Sequence, residues 1–253
     1  MFSDRIRAMG APHWLALFAL ILGAWILLYL MSTPAELRAA SALYGAEFWR
    51  DFCTLTPDAA GLGRVFTMWA LMSAAMMAPT VLPAVATYED LGQSGAATSM
   101  GALMGGYLAV WMGFSALAAG AQMALFQAGL LDPLGQSAER LFSAGLLAVA
   151  GAYQFSTVKE ACLSKCRAPF TFFMAHYDEG PLRNGIRLGL VCLGCCWALM
   201  ALAFVGGVMN LAFMGLATLV MILEKLPEIG RFVTRPLGAI LILSAVLIAA
   251  GLI

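Results

Sequence analysis

The sequence predicts an all-α protein, a polytopic bundle of transmembrane helices forming a single integral membrane domain over residues 1–253. Hydrophobic residues make up 62% of the chain and charged residues only 11%, where a soluble domain carries about a quarter charged. So few charges could not cover the surface of a soluble domain of this length. Apolar stretches long enough to cross a bilayer, about 20 residues each, also recur along the chain. The lipid bilayer is therefore the first partner the sequence implies. The formal net charge of zero gives no basis for a nucleic-acid partner.

The first span runs from His13 to Met31, behind Arg5 and Arg7. Its apolar stretch is too long for a signal-peptide core, and no small-x-small cleavage site follows before Pro34, so it reads as an anchor. The segment 36–53 mixes charges with Leu37, Leu43, Tyr44, Phe48 and Trp49, the pattern of an amphipathic helix lying at an interface. Span two covers Arg64 to Tyr88 and is interrupted by Pro79 and Pro83. Span three covers Met100 to Leu130, with Gly101, Gly105, Ala109 and Gly113 forming a small-residue stripe suited to helix packing. Span four covers Leu141 to Thr157, and a polar hook, 158–187, follows. Spans five (Leu188 to Val205), six (Val208 to Leu223) and seven (Leu237 to Ile253) complete the chain, with a turn at Gly206-Gly207 where Asn210 is placed to satisfy backbone groups. The count is about seven spans, or six if five and six form a re-entrant pair.

Basic residues of short loops set the orientation. They gather at the N-terminus, in the hook (Lys159, Lys165, Arg167, Arg183, Arg187) and between spans six and seven (Lys225, Arg231, Arg235). With seven spans these segments share one side, which places the chain in a bacterial inner membrane with its N-terminus in the cytoplasm.

Five of the six cysteines lie between Cys162 and Cys196. Cys162 and Cys166 stand one turn apart if the helix of span four continues through them. Cys192, Cys195 and Cys196 fall at roughly 0°, −60° and +40° around a helix at the start of span five, and Met200 extends the stripe. Both groups lie near the same membrane boundary, so five thiols and a thioether could converge. Thiolates and thioethers select Cu(I), Zn(II) or iron–sulfur clusters over hard cations. Lys159, Lys165 and Arg167 flank the first pair and would favour thiolates by charge. Zinc commonly adds histidine to cysteine, which His176 in the hook could supply, yet the spacing matches no zinc signature. Cysteine is also a small, easily buried hydrophobe, so packing alone is the plain alternative. Cys53 has no evident partner.

Met68, Met72 and Met76 recur every fourth residue on span two, just before Pro79. Three thioethers on one face could pass a soft ion along the interior, although methionine is equally an ordinary core filler. Pro79 cannot donate to the carbonyl one turn back, a gap tolerated where a neighbouring group fills it. Glu224 beside Lys225 reads as an interfacial charge, and His13 as a boundary residue. No nucleophile–base pair, phosphate loop or paired-carboxylate motif is present, so the sequence leans away from an enzyme without deciding the matter.

Met68-Trp69-Ala70-Leu71-Met72 with Ala75-Met76-Met77-Ala78-Pro79, the block Cys162 to Pro169, and Cys192-Leu-Gly-Cys195-Cys196-Trp197-Ala-Leu-Met200 occur in that order. Together with Gly207 to Leu211 and Glu224-Lys225, they resemble a bacterial family of predicted metal-binding integral membrane proteins. The resemblance covers roughly Arg64 to Lys225 and implies metal binding on Cys162, Cys166, Cys192, Cys195 and Cys196. Ligand softness makes Cu(I) the expected ion, with zinc as the alternative. The expected role is copper handling or supply to a metal-carrying or copper-dependent partner protein. A membrane thiol-disulfide oxidoreductase, exchanging disulfides through Cys162–Cys166 and Cys195–Cys196, is the second reading. A structural or assembly subunit whose cysteines only pack is the third.

Overall fold

The computed structural model describes residues 12–32, 59–93 and 99–252, and every regular element among them is a helix. These are α1 (Pro12–Ser32), α2 (Ala59–Gln93), α3 (Met100–Gln127), α4 (Arg140–Tyr153), α5 (Thr157–Arg167), α6 (Pro169–His176), α7 (Pro181–Ala201), α8 (Ala203–Gly206), α9 (Leu211–Lys225) and α10 (Gly230–Ala250). A 3₁₀ turn, Tyr177–Glu179, leads into α7. The interfacial segment 36–53, Cys53, Arg5 and Arg7 lie outside the described residues.

Among the described residues, five segments are long and apolar enough to cross a membrane: α1, most of α2, α3, Pro181–Gly206 and α10. A sixth exists if the bent pair α4 and α5 is one span. Against the expected seven or six, the described residues offer five or six, because α9 has only 15 residues and falls short of the bilayer requirement of about 20.

α2 corrects the expected interruption at its prolines, running 35 residues straight through Pro79 and Pro83. Pro79 has no N–H for the Ala75 carbonyl one turn back, and the Trp25 indole of α1 donates to that oxygen instead at 3.0 Å. The α1–α2 contact thus repairs the ladder that proline breaks.

Span four does not continue into the first cysteine pair. α4 ends at Tyr153, and α5 departs at 61° after a break of three residues. Ser156, in extended conformation, caps α5 by accepting from the Lys159 N–H, and a cap with non-helical dihedrals is what lets the chain change direction. The polar hook is itself mostly helical, as α5, α6 and the first turns of α7. α7 begins at Pro181 rather than near Leu188, because proline at the first helical position costs no hydrogen bond and presets the dihedral. At the Gly206-Gly207 turn the backbone of Gly207 takes φ +92°, a region open mainly to glycine. Asn210 then does what the sequence suggests, donating to the Gly206 carbonyl and accepting from the Phe213 N–H.

The centre of the molecule is the packing of α7 on α3 and of α2 on α3, with α1 outside α2 and α10 against α4. The small-residue stripe of α3 does not make these contacts. Gly101, Gly105 and Gly113 face open space. The crossing is made by Gly106 and Gly185 instead. A Cβ at Gly106 would run into the Leu182 carbonyl and lie 2.8 Å from the Ile186 nitrogen, and one at Gly185 would strike Leu103.

Candidate metal centre

Cys192, Cys195 and Cys196 present three sulfurs that all lie within 4.8 Å of one another, and all three residues are buried. They sit in the second half of α7 rather than at a helix start, where steps of three and one bring them to one side of the helix. The Cys195 thiol lies 3.3 Å from the Cys196 sulfur and donates to the Cys192 carbonyl at 3.1 Å. All five described cysteines are free thiols.

Cys192 is the most heavily contacted of the three. The Lys225 ammonium, at the end of α9, donates to its sulfur at 3.0 Å. The Tyr107 hydroxyl of α3 is at 3.2 Å and the Thr80 hydroxyl of α2 at 3.9 Å. Lys225 also donates to Thr80 at 2.6 Å, and the hydroxyls of Tyr107 and Thr80 donate to the Met77 carbonyl. Four helices thus converge on one thiol.

The two cysteine groups do meet. A Cβ at Gly194 would lie 2.6 Å from the Cys162 sulfur, so glycine between Cys192 and Cys195 is what lets α5 approach α7. Cys166, one turn further along α5, is near enough to Cys195 for their thiols to interact. Cys162 and Cys166 stand beside the three-sulfur group, half-buried, rather than within it. The Gly194 carbonyl accepts from the Tyr153 hydroxyl at 2.5 Å.

Basic residues of the hook are mostly committed elsewhere. Lys159 pairs with Glu224 at 2.8 Å, both side chains only 1% exposed. Arg167 bonds the Glu224 carbonyl and the Glu160 carboxylate. Lys225 supplies the cation that reaches the α7 thiols. Glu224 is accordingly a buried ion-pair partner and not the interfacial charge expected of it.

Met68, Met72, Met76 and Met200 are all buried in the core, with Met76 one turn before Thr80 on α2. His176 ends α6, its Nδ1 2.8 Å from the Phe172 carbonyl and its ring against the Phe172 ring. It is not part of the sulfur group.

Residues 66–248 match the model of a family designated PpoB2 and described as a copper chaperone. The chain belongs to the PpoB2 family. The match takes in Cys162, Cys166, Cys192, Cys195, Cys196 and Lys225. No curated protein and no solved structure matches the chain.

Sequence reasoning missed Tyr107, Thr80 and Lys225 as the polar neighbours of Cys192. Lys225 carried a usable signal, since an ionisable residue closing an apolar helix is a functional candidate by default. Tyr107 and Thr80 carried none, because an ordinary tyrosine and threonine on apolar helices reveal their partner only once the helices are packed.

Proposed function

We propose that this chain is a multi-pass inner-membrane protein, with its N-terminus in the cytoplasm, that binds Cu(I) through Cys192, Cys195 and Cys196 and passes it to a partner protein. The observation carrying this reading is the cluster of three buried sulfurs, in a chain whose family is described as a copper chaperone. A compact all-sulfur set suits a soft monovalent ion. Thiolate ligands bring negative charge into an apolar interior, where an unpaired charge is costly. The Lys225 ammonium offsets it at contact distance.

Cys162 and Cys166, half-buried on the short helix α5, are the thiols we assign to exchange of the ion with the partner. Ligand exchange needs an incoming sulfur before an outgoing one leaves, and these two stand at the edge of the buried set. The methionines of α2 are assigned to passage along the interior. Changing Met68, Met72 and Met76 together to leucine should reduce copper passage across a reconstituted membrane while the thiol site still fills.

The deciding test is copper content and Cu(I) competition with a chromophoric chelator, on anaerobically purified protein beside a variant with Cys192, Cys195 and Cys196 changed to serine. Near-stoichiometric copper in the parent, lost in the variant, supports the reading. A folded parent that stays empty when offered Cu(I) rejects it and moves thiol-disulfide exchange to the front.

A further inference from the structure

We propose that the face of α7 opposite its cysteines is a binding site for one anionic glycerophospholipid, headgroup at Arg183 and Arg187 and acyl chain along the groove between α7 and α3. The inference rests on the membrane placement proposed above and is independent of copper.

Arg183, Arg187, Leu190, Gly194, Trp197 and Ala201 recur every third or fourth residue, so they form one continuous stripe along α7. Cys192, Cys195 and Cys196 occupy the other side. Two clefts lie along the stripe. The first, about 420 Å³, is walled by Glu179, Arg183, Ile186 and Arg187. The second, about 510 Å³, is lined wholly by apolar and aromatic residues and glycine, with Leu117, Ala121 and Phe114 of α3 facing Leu190 and Trp197 of α7. The helix therefore presents a charged cleft at one end and an apolar one beyond it, the order of groups in a phospholipid.

The dimensions agree. Leu190 to Ala201 spans about 16 Å at about 1.5 Å per residue, and one leaflet contributes half of a hydrocarbon core of about 30 Å. Charge chooses the headgroup. Arg187 is paired with Glu179 at 2.5 Å, whereas Arg183 has no ion-pair partner among the described residues. An exposed guanidinium beside a second one fits the fork geometry of a phosphate, and basic clefts at the cytoplasmic ends of membrane helices attract anionic headgroups. Glu179 opposes a phosphate at Arg187, so Arg183 makes the principal contact. Exposed Leu190 and Leu117, 55% and 75% accessible, flank the groove as the walls an acyl chain would cover.

The test uses the full chain in mild detergent, after a carbonate wash of the membranes. Protein released by that wash would overturn both the membrane placement and the lipid site. Protein retained is extracted, its bound lipids are identified by mass spectrometry, and its thermal midpoint is followed with phosphatidylglycerol, phosphatidylcholine or inorganic phosphate. A specific site predicts retained phosphatidylglycerol and a midpoint rise of roughly 5–10 °C at lipid about a hundredfold above its Kd. Phosphatidylcholine and phosphate should give no comparable rise. The variant R183Q/R187Q should lose both effects, and A121F, which blocks the apolar cleft and leaves the arginines alone, should lose them as well. An unchanged lipid-free thermal midpoint and a single monodisperse elution peak in both variants keep their loss from being misfolding. An equal rise with phosphatidylcholine, a full rise with phosphate alone, or an undiminished rise in either variant would overturn the proposal.

Discussion

Lys225 is the residue on which the thiol site turns. Its ammonium reaches Cys192 and Thr80 together, so it fixes the sulfur's position and supplies the cation beside it. A hydrogen bond to a charged group contributes about 1.5–3 kcal/mol. Lys225→Met should therefore weaken Cu(I) binding by roughly ten- to a hundredfold in chelator competition, with Lys225→Arg recovering part of the loss. Equal affinity in Lys225→Met would remove the lysine from the site. The neighbouring Glu224 belongs to stability instead. Its ion pair with Lys159 is closed to solvent, and removing one partner strands a buried charge at a cost of about 3–5 kcal/mol. Lys159→Met should lower the unfolding free energy by that order in a denaturant titration, and Lys159→Met with Glu224→Leu should regain most of it. Two single losses that simply add in the double variant would show that the pair is not coupled.

At the scale of elements, the site depends on where helices stop and cross. α5 carries Cys162 and Cys166 to α7 only because the chain turns at Ser156. α9 delivers Lys225 because it ends there, its Leu226 N–H closing on the Leu223 carbonyl. The α3–α7 crossing sets the distance between Tyr107 and Cys192, and it is fixed by Gly106 and Gly185. Adding a methyl to a filled contact typically costs about 1–3 kcal/mol. Gly106→Ala should thus lower the thermal midpoint and weaken Cu(I) binding together. Gly105→Ala, which meets open space, should leave both unchanged or raise the midpoint slightly, as alanine is the better helix former. The opposite ranking of these neighbouring glycines would reject the crossing.

Across the whole molecule, two of the basic segments, the hook and the α9–α10 turn, meet at one end. Arg167 of α5 reaches the Glu224 carbonyl and Thr234 of α10, which joins the hook to the α9–α10 turn. At the other end, the Ser137 N–H bonds the Phe204 carbonyl and Gly251 lies against Arg140. If positive residues mark the cytoplasmic side, the C-terminus emerges on the opposite side. A reporter active only outside the cytoplasm should be active when fused after Ile253 and silent when fused within the turn at Pro227. A silent C-terminal fusion would reverse the orientation.

The fold class is legible in the amino-acid sequence alone, since composition and the lengths of apolar runs depend only on solvent and bilayer. That Cys192, Cys195 and Cys196 share a side of α7 is legible as well, because spacing on one helix is local and holds whatever packs against it. Pro79 announces an unfilled carbonyl, though not that Trp25 fills it. The packing decides the rest. Whether Cys162 and Cys166 reach α7 depends on the turn at Ser156 and the missing side chain at Gly194. Which cation faces the thiols depends on where α9 ends, and it is Lys225, while Lys159 goes to Glu224. Which glycines of α3 touch a neighbour also cannot be read from a four-residue repeat, because Gly105 and Gly106 have the same local pattern and differ only in what stands across from them. Periodicity describes one helix at a time, whereas a site is made by contacts between helices.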